Sequence, residues 1–317
     1  MTKGKRHLLA AALVLGALAW PAAVPAQDLM NTALSSFPTG TIRVEYSSPA
    51  KLRALPDYAA LSKRYVGPNL IALENDLAKL GIQQEDIDEL VIGWQARGAS
   101  MELSGVAQGR FDPKAVADRA AAQGLAATPV GGTSAYCLGA GVGGNCVVIL
   151  NESLGAFGAL DSLGAIMKAR AGEAPNAASD TKFAKHVDDA RTDAAIWGVA
   201  VGPAIADWFK GWMPNQGNVQ LDWKATFQSV EVLSYSVQAA DKVNLDVKLD
   251  CTTSSAAQSL TQVMQGLKLL QQMAWQNQNP RAPNPFKSLV VDRSDTQVRL
   301  NLTTEYSELE AGIPGNS

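Results

Sequence analysis

Alternation of apolar and polar residues is first clear at residues 41–46, where it predicts a half-buried strand. Ser48 and Pro49 follow, and they favour a helix start because serine caps a helix and proline fits its first turn. Leucines that recur between residues 52 and 77 predict helical segments, broken at Gly67-Pro68. The chain therefore begins its ordered part with a strand followed by helices.

The next segment predicts hairpins alternating with helices, because short apolar runs are separated by turn residues and by helix-capping pairs. In chain order the predicted elements are a hairpin of strands 89–94 and 101–106, a helix from Asp112-Pro113 to Ala122, a hairpin of strands 133–138 and 145–150, and a helix at Leu154–Ala169.

The C-terminal part repeats this order. Its predicted elements are a strand at Ala194–Val201, a helix at Pro203–Met213, a hairpin of Ser229–Val237 and Val243–Leu249, a helix at Ser254–Trp275, and a hairpin of Ser288–Val291 and Gln297–Thr303. In the long helix we expect five side chains to share one apolar face, namely Leu260, Val263, Met264, Leu267 and Leu270.

This order predicts two similar halves, 27–172 and 191–317, joined by a linker and bridging helix at 173–190. Each half has the order strand–helix–strand–strand–helix–hairpin. That order is typical of a ferredoxin-like unit, an antiparallel sheet with helices packed on one face. The predicted fold class is therefore α+β. Residue identity between the halves is very low, so the internal repeat depends on element order.

Residues 1–26 have the pattern of a cleavable secretion signal. A basic start precedes a thirteen-residue apolar run, Leu8–Trp20, and the small residues Val24 and Ala26 occupy the −3 and −1 positions. A membrane-spanning helix needs about 20 apolar residues, so this run is short for an anchor. We expect an exported protein, periplasmic or extracellular, with no transmembrane segment after cleavage.

Charge argues against nucleic acid as a partner. Cleavage removes three of the 27 basic residues and no acid, which takes the net charge from −3 to −6. Phosphate binding depends on clustered lysine and arginine, and an acidic chain predicts no such surface.

Three cysteines follow the signal. Cys137 and Cys146 flank a glycine-rich stretch, and a hairpin would place them opposite each other. The sequence is consistent with either a disulfide between them or two free thiols. Cys251 is the unpaired cysteine and is expected to be a buried thiol.

Short motifs give the chain a weak resemblance to uncharacterised secreted bacterial proteins. These motifs are the signal, the early strand with its Ser-Pro and leucine-rich helix, the approach to a strand at Asp86–Val91, and the turn at Gly109–Asp112. The group has no assigned activity. The resemblance implies architecture and compartment only.

Two short stretches match known functional motifs, one for cofactor binding and one for catalysis. Gly139-x-Gly141-x-x-Gly144 matches a dinucleotide fingerprint, but a strand rather than a helix is predicted after it, which favours a hairpin loop. Ser48-x-x-Lys51 matches the nucleophile motif of penicillin-recognising enzymes, but the partner motif Lys-Thr-Gly is absent from the sequence. We therefore predict no cofactor and no catalytic residue.

The sequence contains few residues suited to metal binding or to histidine catalysis. His186 is the one histidine after the signal, and its polar neighbours predict a solvated side chain. The acids from Glu85 to Glu89 lack the glycine and terminal glutamate of a calcium loop. The sequence predicts no metal site.

An aromatic cluster is the most unusual local feature. Trp208 and Trp212 share a helix face, with Phe209 and Met213 beside them. This face either packs on the sheet or forms an exposed patch for a protein partner, an apolar ligand or a membrane interface.

These observations favour an exported, non-enzymatic binding or scaffold protein that uses a sheet or groove between its halves. One alternative is an envelope or membrane-peripheral module that binds a partner through the Trp208/Trp212 helix. The other is a secreted hydrolase without histidine chemistry. The choice of ligand and the oligomeric state have no signal in the sequence.

Cleavage after Ala26 is testable by intact mass. We expect the exported chain to begin at Gln27 because small residues at −3 and −1 define the cleavage site. An Ala26→Leu variant should keep its first 26 residues. The same uncleaved mass for both chains would contradict the prediction.

Overall fold

The computed structural model describes residues 26–55, 58, 68–98, 100–138, 145–212, 221–278, 284 and 286–308. Its strands are β1 Thr41–Ser47, β2 Ile87–Arg97, β3 Ser100–Gly109, β4 Ala127–Val130, β5 Thr133–Cys137, β6 Cys146–Asn151, β7 Leu154–Gly158, β8 Ile196–Val201, β9 Val230–Ala239, β10 Val243–Cys251, β11 Val290–Ser294 and β12 Gln297–Thr304. Its α-helices are α1 Ala26–Ser36, α2 Pro49–Arg53, α3 Pro68–Lys79, α4 Pro113–Ala122, α5 Leu160–Arg170, α6 Thr181–Ala190, α7 Pro203–Trp212, α8 Trp223–Phe227 and α9 Ser254–Gln278. The predicted signal lies outside the described residues except for Ala26.

All these strands belong to one sheet, in the order β11-β12-β10-β9-β8-β1-β2-β3-β7-β6-β5-β4. The centre is the antiparallel pair of β1 and β8, in which Val44 lies opposite Val199 and Glu45 opposite Gly198. The α+β class is therefore confirmed as a mixed fold built on one antiparallel sheet.

The sheet differs from the predicted pair of ferredoxin-like sheets. A split βαβ unit contains parallel strand neighbours, whereas every neighbouring pair among the described strands is antiparallel. In a split βαβ unit, one edge of β1 would pair with a parallel strand from the same half. Here that edge pairs instead with β8, which comes from the C-terminal segment. The two segments therefore share a sheet.

The N-terminal strands are covered on both faces, not on one as predicted. Consecutive strand residues point to opposite faces. In β6, Cys146 and Val148 join the core under α1, α5 and α6, while Val147 and Ile149 join a separate core with α4. We call these the Val44 face and the Glu45 face, after two residues of β1. A continuous apolar run such as residues 146–150 is typical of a strand buried on both faces.

Local predictions hold where the determinants are close in sequence. The predicted hairpins, α2, α4 and α9 are present, and Ser48 and Asp112 cap α2 and α4. The predicted helix at Leu154–Ala169 is wrong in its first turn, because residues 154–158 form β7 between β3 and β6. Three elements were not predicted, namely α1, β4 and α8.

The predicted apolar face of α9 also needs correction. Leu260, Met264 and Leu267 are buried as expected, but Val263 and Leu270 are 36% and 40% exposed. None of the described helices is both long enough and apolar enough to cross a bilayer.

A tyrosine and a carboxylate are paired at one end of the Val44 face. Tyr46 Oη donates to Glu89 Oε1 at 2.9 Å, and Glu89 Oε2 is buried without a hydrogen-bond partner. Burial raises the pKa of Glu89, although the Tyr46 bond and Lys51 oppose the shift. The folded protein therefore binds a proton here more tightly than the unfolded chain.

Glu89→Gln should change how stability depends on pH. The folded pKa of Glu89 lies above the unfolded value of about 4.3. The ionisation of Glu89 therefore lowers the free energy of unfolding as pH rises from the unfolded pKa to the folded pKa. Glutamine keeps an acceptor for Tyr46 and does not titrate. Urea unfolding at a series of pH values should show that the free energy of unfolding of the variant increases relative to that of the wild type as pH rises. The exposed Glu231→Gln is the matched control, and a difference independent of pH would contradict the prediction.

Gly198 has no room for a side chain. A Cβ there would lie 2.6 Å from Tyr235 Oη and 2.7 Å from the carbonyl oxygen of Val44. We expect Gly198→Ala to lower the free energy of unfolding by about 1–3 kcal/mol, because backbone of β1 would have to move. Gly164→Ala in α5 meets open space and should stabilise by up to about 1 kcal/mol. Equal urea midpoints for the two variants would contradict this.

Candidate functional site

A polar groove of about 390 Å³ runs between α6 and the Val44 face of β9 and β10. Helix α6 forms one wall. Its N-terminus is capped by Asp180, whose Oδ1 accepts from Phe183 N at 3.0 Å, and its buried Phe183 and Val187 face the core. This packing leaves His186 and Asp189 on the groove side.

The C-terminal end of this wall is held by Arg191. Its Nη2 donates to Asn31 Oδ1 of α1 at 2.6 Å, and its Nε lies 2.9 Å from Asp188 Oδ1. The bridging helix is therefore fixed both to the core and to the first helix of the described chain.

The floor of the groove is the polar side of an amphipathic sheet. Ser234 of β9 lies opposite Lys248 of β10, and Ser236 lies opposite Asp246. The intervening residues, such as Leu233, are buried on the Glu45 face. Strict alternation thus gives β9 and β10 one apolar face under helices and one polar face open to the groove. The remaining polar floor residues are Gln238, Asp250 and Gln297.

The acids of the groove already have partners. Asp246 accepts from Arg299 Nε at 2.5 Å, Asp250 accepts from Gln297 Nε2 at 2.8 Å, and Asp189 pairs with Lys185 at 2.6 Å. Their hydrogen-bonding capacity is therefore partly used within the protein.

Other polar groups in the groove remain available. In the described part of the chain, Lys248 Nζ, Ser234 Oγ and Ser236 Oγ have no internal partner. His186 Nε2 is buried and makes no hydrogen bond. His186 is half-buried against the groove, so the prediction of a solvated histidine is not what the structure shows. A buried nitrogen without a partner costs stability unless a ligand or water satisfies it.

A second polar cluster supports the floor from behind, on the Glu45 face. Tyr235 donates a short hydrogen bond to Glu45, and Arg43 Nη2 donates to Glu45 Oε2 at 2.9 Å. The Arg43 guanidinium lies 3.9 Å from the centre of the Trp94 ring. Burial, and then the Glu45 carboxylate, raise the pKa of Tyr235 well above its usual range, so it remains a donor.

The predicted aromatic patch lies partly in the core. Trp208 and Phe209 are 3% and 2% exposed, and they pack on Tyr235 and Phe227 at ring-centre distances of 4.9 and 4.3 Å. These two rings bury the interface of α7 with the sheet and α8, and are not on the surface. The side chain of Trp212 and all of Met213 lie outside the described residues.

Cys137 and Cys146 form a disulfide across the β5–β6 hairpin, where they are register partners. The glycine motif between them, residues 139–144, lies outside the described residues. The chain after it forms β6, and a dinucleotide fingerprint would require a helix there. Cys251 is buried, and burial followed by Asp250 raises the pKa of its thiol.

The other motif residues have structural partners. Ser48 Oγ accepts from Lys51 N at 3.3 Å as a helix cap, and Lys51 Nζ donates to the carbonyl of Asp193 at 2.7 Å. The acidic side chains between Glu85 and Glu89 do not converge on one point. Asp86 accepts a hydrogen bond from the backbone of Gln83, whereas Asp88 lies near Arg110. Within the described residues no group of acids, histidines or cysteines is arranged to hold a metal ion.

Sequence reasoning missed the groove because its parts are far apart along the chain. The signal available was the strict alternation of Asn244, Asp246 and Lys248 with apolar residues, which marks a polar sheet face. This alternation gave no indication that α6 would lie over the polar face, because that contact forms only in the tertiary fold.

No family model matches the chain, and no curated protein matches it either. Among solved structures, crystal form III of TP0453 has a TM-score of 0.53 at 10% identity, covering 89% of this chain and 97% of that one. Crystal form I of TP0453 has a TM-score of 0.48 at 11% identity, covering 92% and 97%. At these identities the likeness to form III shows a shared fold and no activity. It is consistent with the weak resemblance drawn from the sequence motifs.

Proposed function

We propose that this chain is an exported, non-enzymatic binding protein that holds a polar ligand in the groove between α6 and the strands β9 and β10. The observation that carries the proposal is the convergence of Lys248, Ser234 and Ser236, whose side-chain polar atoms have no internal partner, on one groove that His186 also lines. Convergent polar groups in one concave site are typical of ligand recognition.

The chemistry of the lining favours a ligand rich in hydroxyl and carbonyl groups. Lys248 donates hydrogen bonds, and the two serines donate and accept. Most of the residues that line the groove are polar, and the exceptions are Ala190, Val232 and Tyr235. A polar metabolite or sugar fits this lining better than an apolar compound.

The groove is formed by the linker and the C-terminal half of the chain, and does not lie between the two predicted halves. Helix α6 lies in the linker 173–190, and the floor belongs to the C-terminal half. Outward from the central pair, the sheet runs β1-β2-β3 on one side and β8-β9-β10 on the other. We infer from this matched order that 27–172 and 191–317 are repeats of one ancestral unit.

The alternatives have weaker support. A hydrolase using Ser48 and Lys51 would have to release both side chains from their capping and carbonyl bonds. A partner-binding module using Trp208 and Phe209 would have to move two buried rings out of the core.

The proposal is tested by what the exported protein carries. We expect wild-type protein purified from its native host to release about one equivalent of a polar compound on denaturation, measured by mass spectrometry. Ser234→Leu with Ser236→Leu should abolish this release, since the added side chains fill the groove floor. Lys248→Ala should reduce it.

Glu231→Leu is the matched control, because Glu231 is an exposed residue of the same strand and does not line the groove. It should release as much compound as the wild type. Equal release from the groove-filled double variant and the wild type would contradict the proposed site.

A further inference from the structure

Helix α9 has a second apolar stripe that the fold leaves uncovered. Val263, Leu269, Leu270 and Met273 are 36%, 59%, 40% and 62% exposed. Residues 263, 266, 270 and 273 are spaced three, four and three apart, which places them on one side of a helix. Leu260, Met264 and Leu267 already bury the side that faces the sheet. The exposed stripe is therefore in excess of what the monomer fold requires.

The charge around this stripe restricts what covers it. Lys268 is the one charged residue between Ser254 and Gln278, and it is half-buried away from the stripe. Helices that lie on membranes carry polar faces rich in lysine and arginine, which α9 lacks. Its exposed polar residues are uncharged glutamine, serine and asparagine, so two copies of α9 meet without repulsion between like charges.

The stripe is complementary to itself in the antiparallel direction. With the two-fold axis at residue 268, Val263 faces Met273 of the second copy, and Gly266 faces Leu270 of the second copy. Nothing lies within 4 Å of the position that a Cβ on Gly266 would occupy, so there is room for the leucine. At the Gly266–Leu270 contact a large residue thus meets a small one, which lets the two helices approach closely there.

A groove at the N-terminal end of α9 continues the same line. It has a volume of about 490 Å³, and Ser255, Ser259 and Val263 form one of its walls. In the antiparallel arrangement the C-terminal part of the second α9 runs along this wall, with Asn277 opposite Ser259. Polar residues meet where the apolar stripe ends.

We propose that α9 is a homodimer interface, in which two copies of this chain pair antiparallel through Val263, Gly266, Leu269, Leu270 and Met273. Such an interface is isologous, since the same surface contributes from both subunits. It lies apart from the polar groove beside α6.

Cysteine cross-linking tests the arrangement in the full chain. At a rise of 1.5 Å per residue, the two copies of residue 269 are offset by about 3 Å along the axis, and those of residue 263 by about 15 Å. Leu269→Cys should therefore form a covalent dimer under mild oxidation, while Val263→Cys and the unsubstituted chain, with Cys251 buried, remain monomeric on a denaturing gel. Equal cross-linking at both positions would overturn the antiparallel pairing.

Sedimentation equilibrium tests the interface itself. Leu270→Glu should raise the dimer Kd about tenfold or more, as expected for a buried anchor. Ala121→Glu adds the same charge at an exposed position of α4, away from α9, and should leave Kd unchanged, with thermal unfolding confirming that both variants fold. A wild-type monomer would overturn the proposal. So would co-sedimentation with phosphatidylethanolamine–phosphatidylglycerol vesicles that Leu270→Glu abolishes, because it would assign the stripe to lipid.

Discussion

The central seam of the sheet depends on a partly buried contact that links β1 to β9. Glu45 on β1 and Tyr235 on β9 are separated by β8, where Gly198 lies in register between them. Because glycine has no side chain, the tyrosine hydroxyl reaches over β8 to the carboxylate, which also accepts from Arg43. A charge removed from water is tolerated only with such partners. The three groups therefore support one another, and a side chain at position 198 would clash with the tyrosine hydroxyl.

This contact fixes register as well as position. A slip of one residue in a strand exchanges its two faces. Such a slip of β9 would turn Tyr235 towards α6 and send Ser234 and Ser236 into the core beneath α7 and α9. The groove floor and the aromatic core thus follow from the same pairing. The polar floor of the groove is thus kept in place by a partly buried hydrogen-bond network on the reverse side of its strand.

The sequence predicts local structure well here and long-range structure poorly. Hairpins and capped helices such as α4 depend on residues within a few positions of each other, and they are present. The pairing of β1 with β8 joins residues about 150 apart, and nothing in either strand alone specifies that partner. Residues 154–158 failed as a helix because their pairing with β3 and β6 outweighs local preference. The groove was missed for the same reason, since His186 and Lys248 meet only after the sheet forms.

Alternation in the C-terminal strands also separates the two proposed surfaces. In β9 and β10 the polar residues face α6, and the intervening residues, such as Leu233 and Leu249, lie beneath α7 and α9. A ligand in the groove and a second copy on α9 would therefore occupy opposite faces of the same strands and would not compete for space. Coupling between them would have to pass through the strands themselves, which the Glu45–Tyr235 contact holds in one register. The expected behaviour is a dimer whose two grooves bind independently of each other.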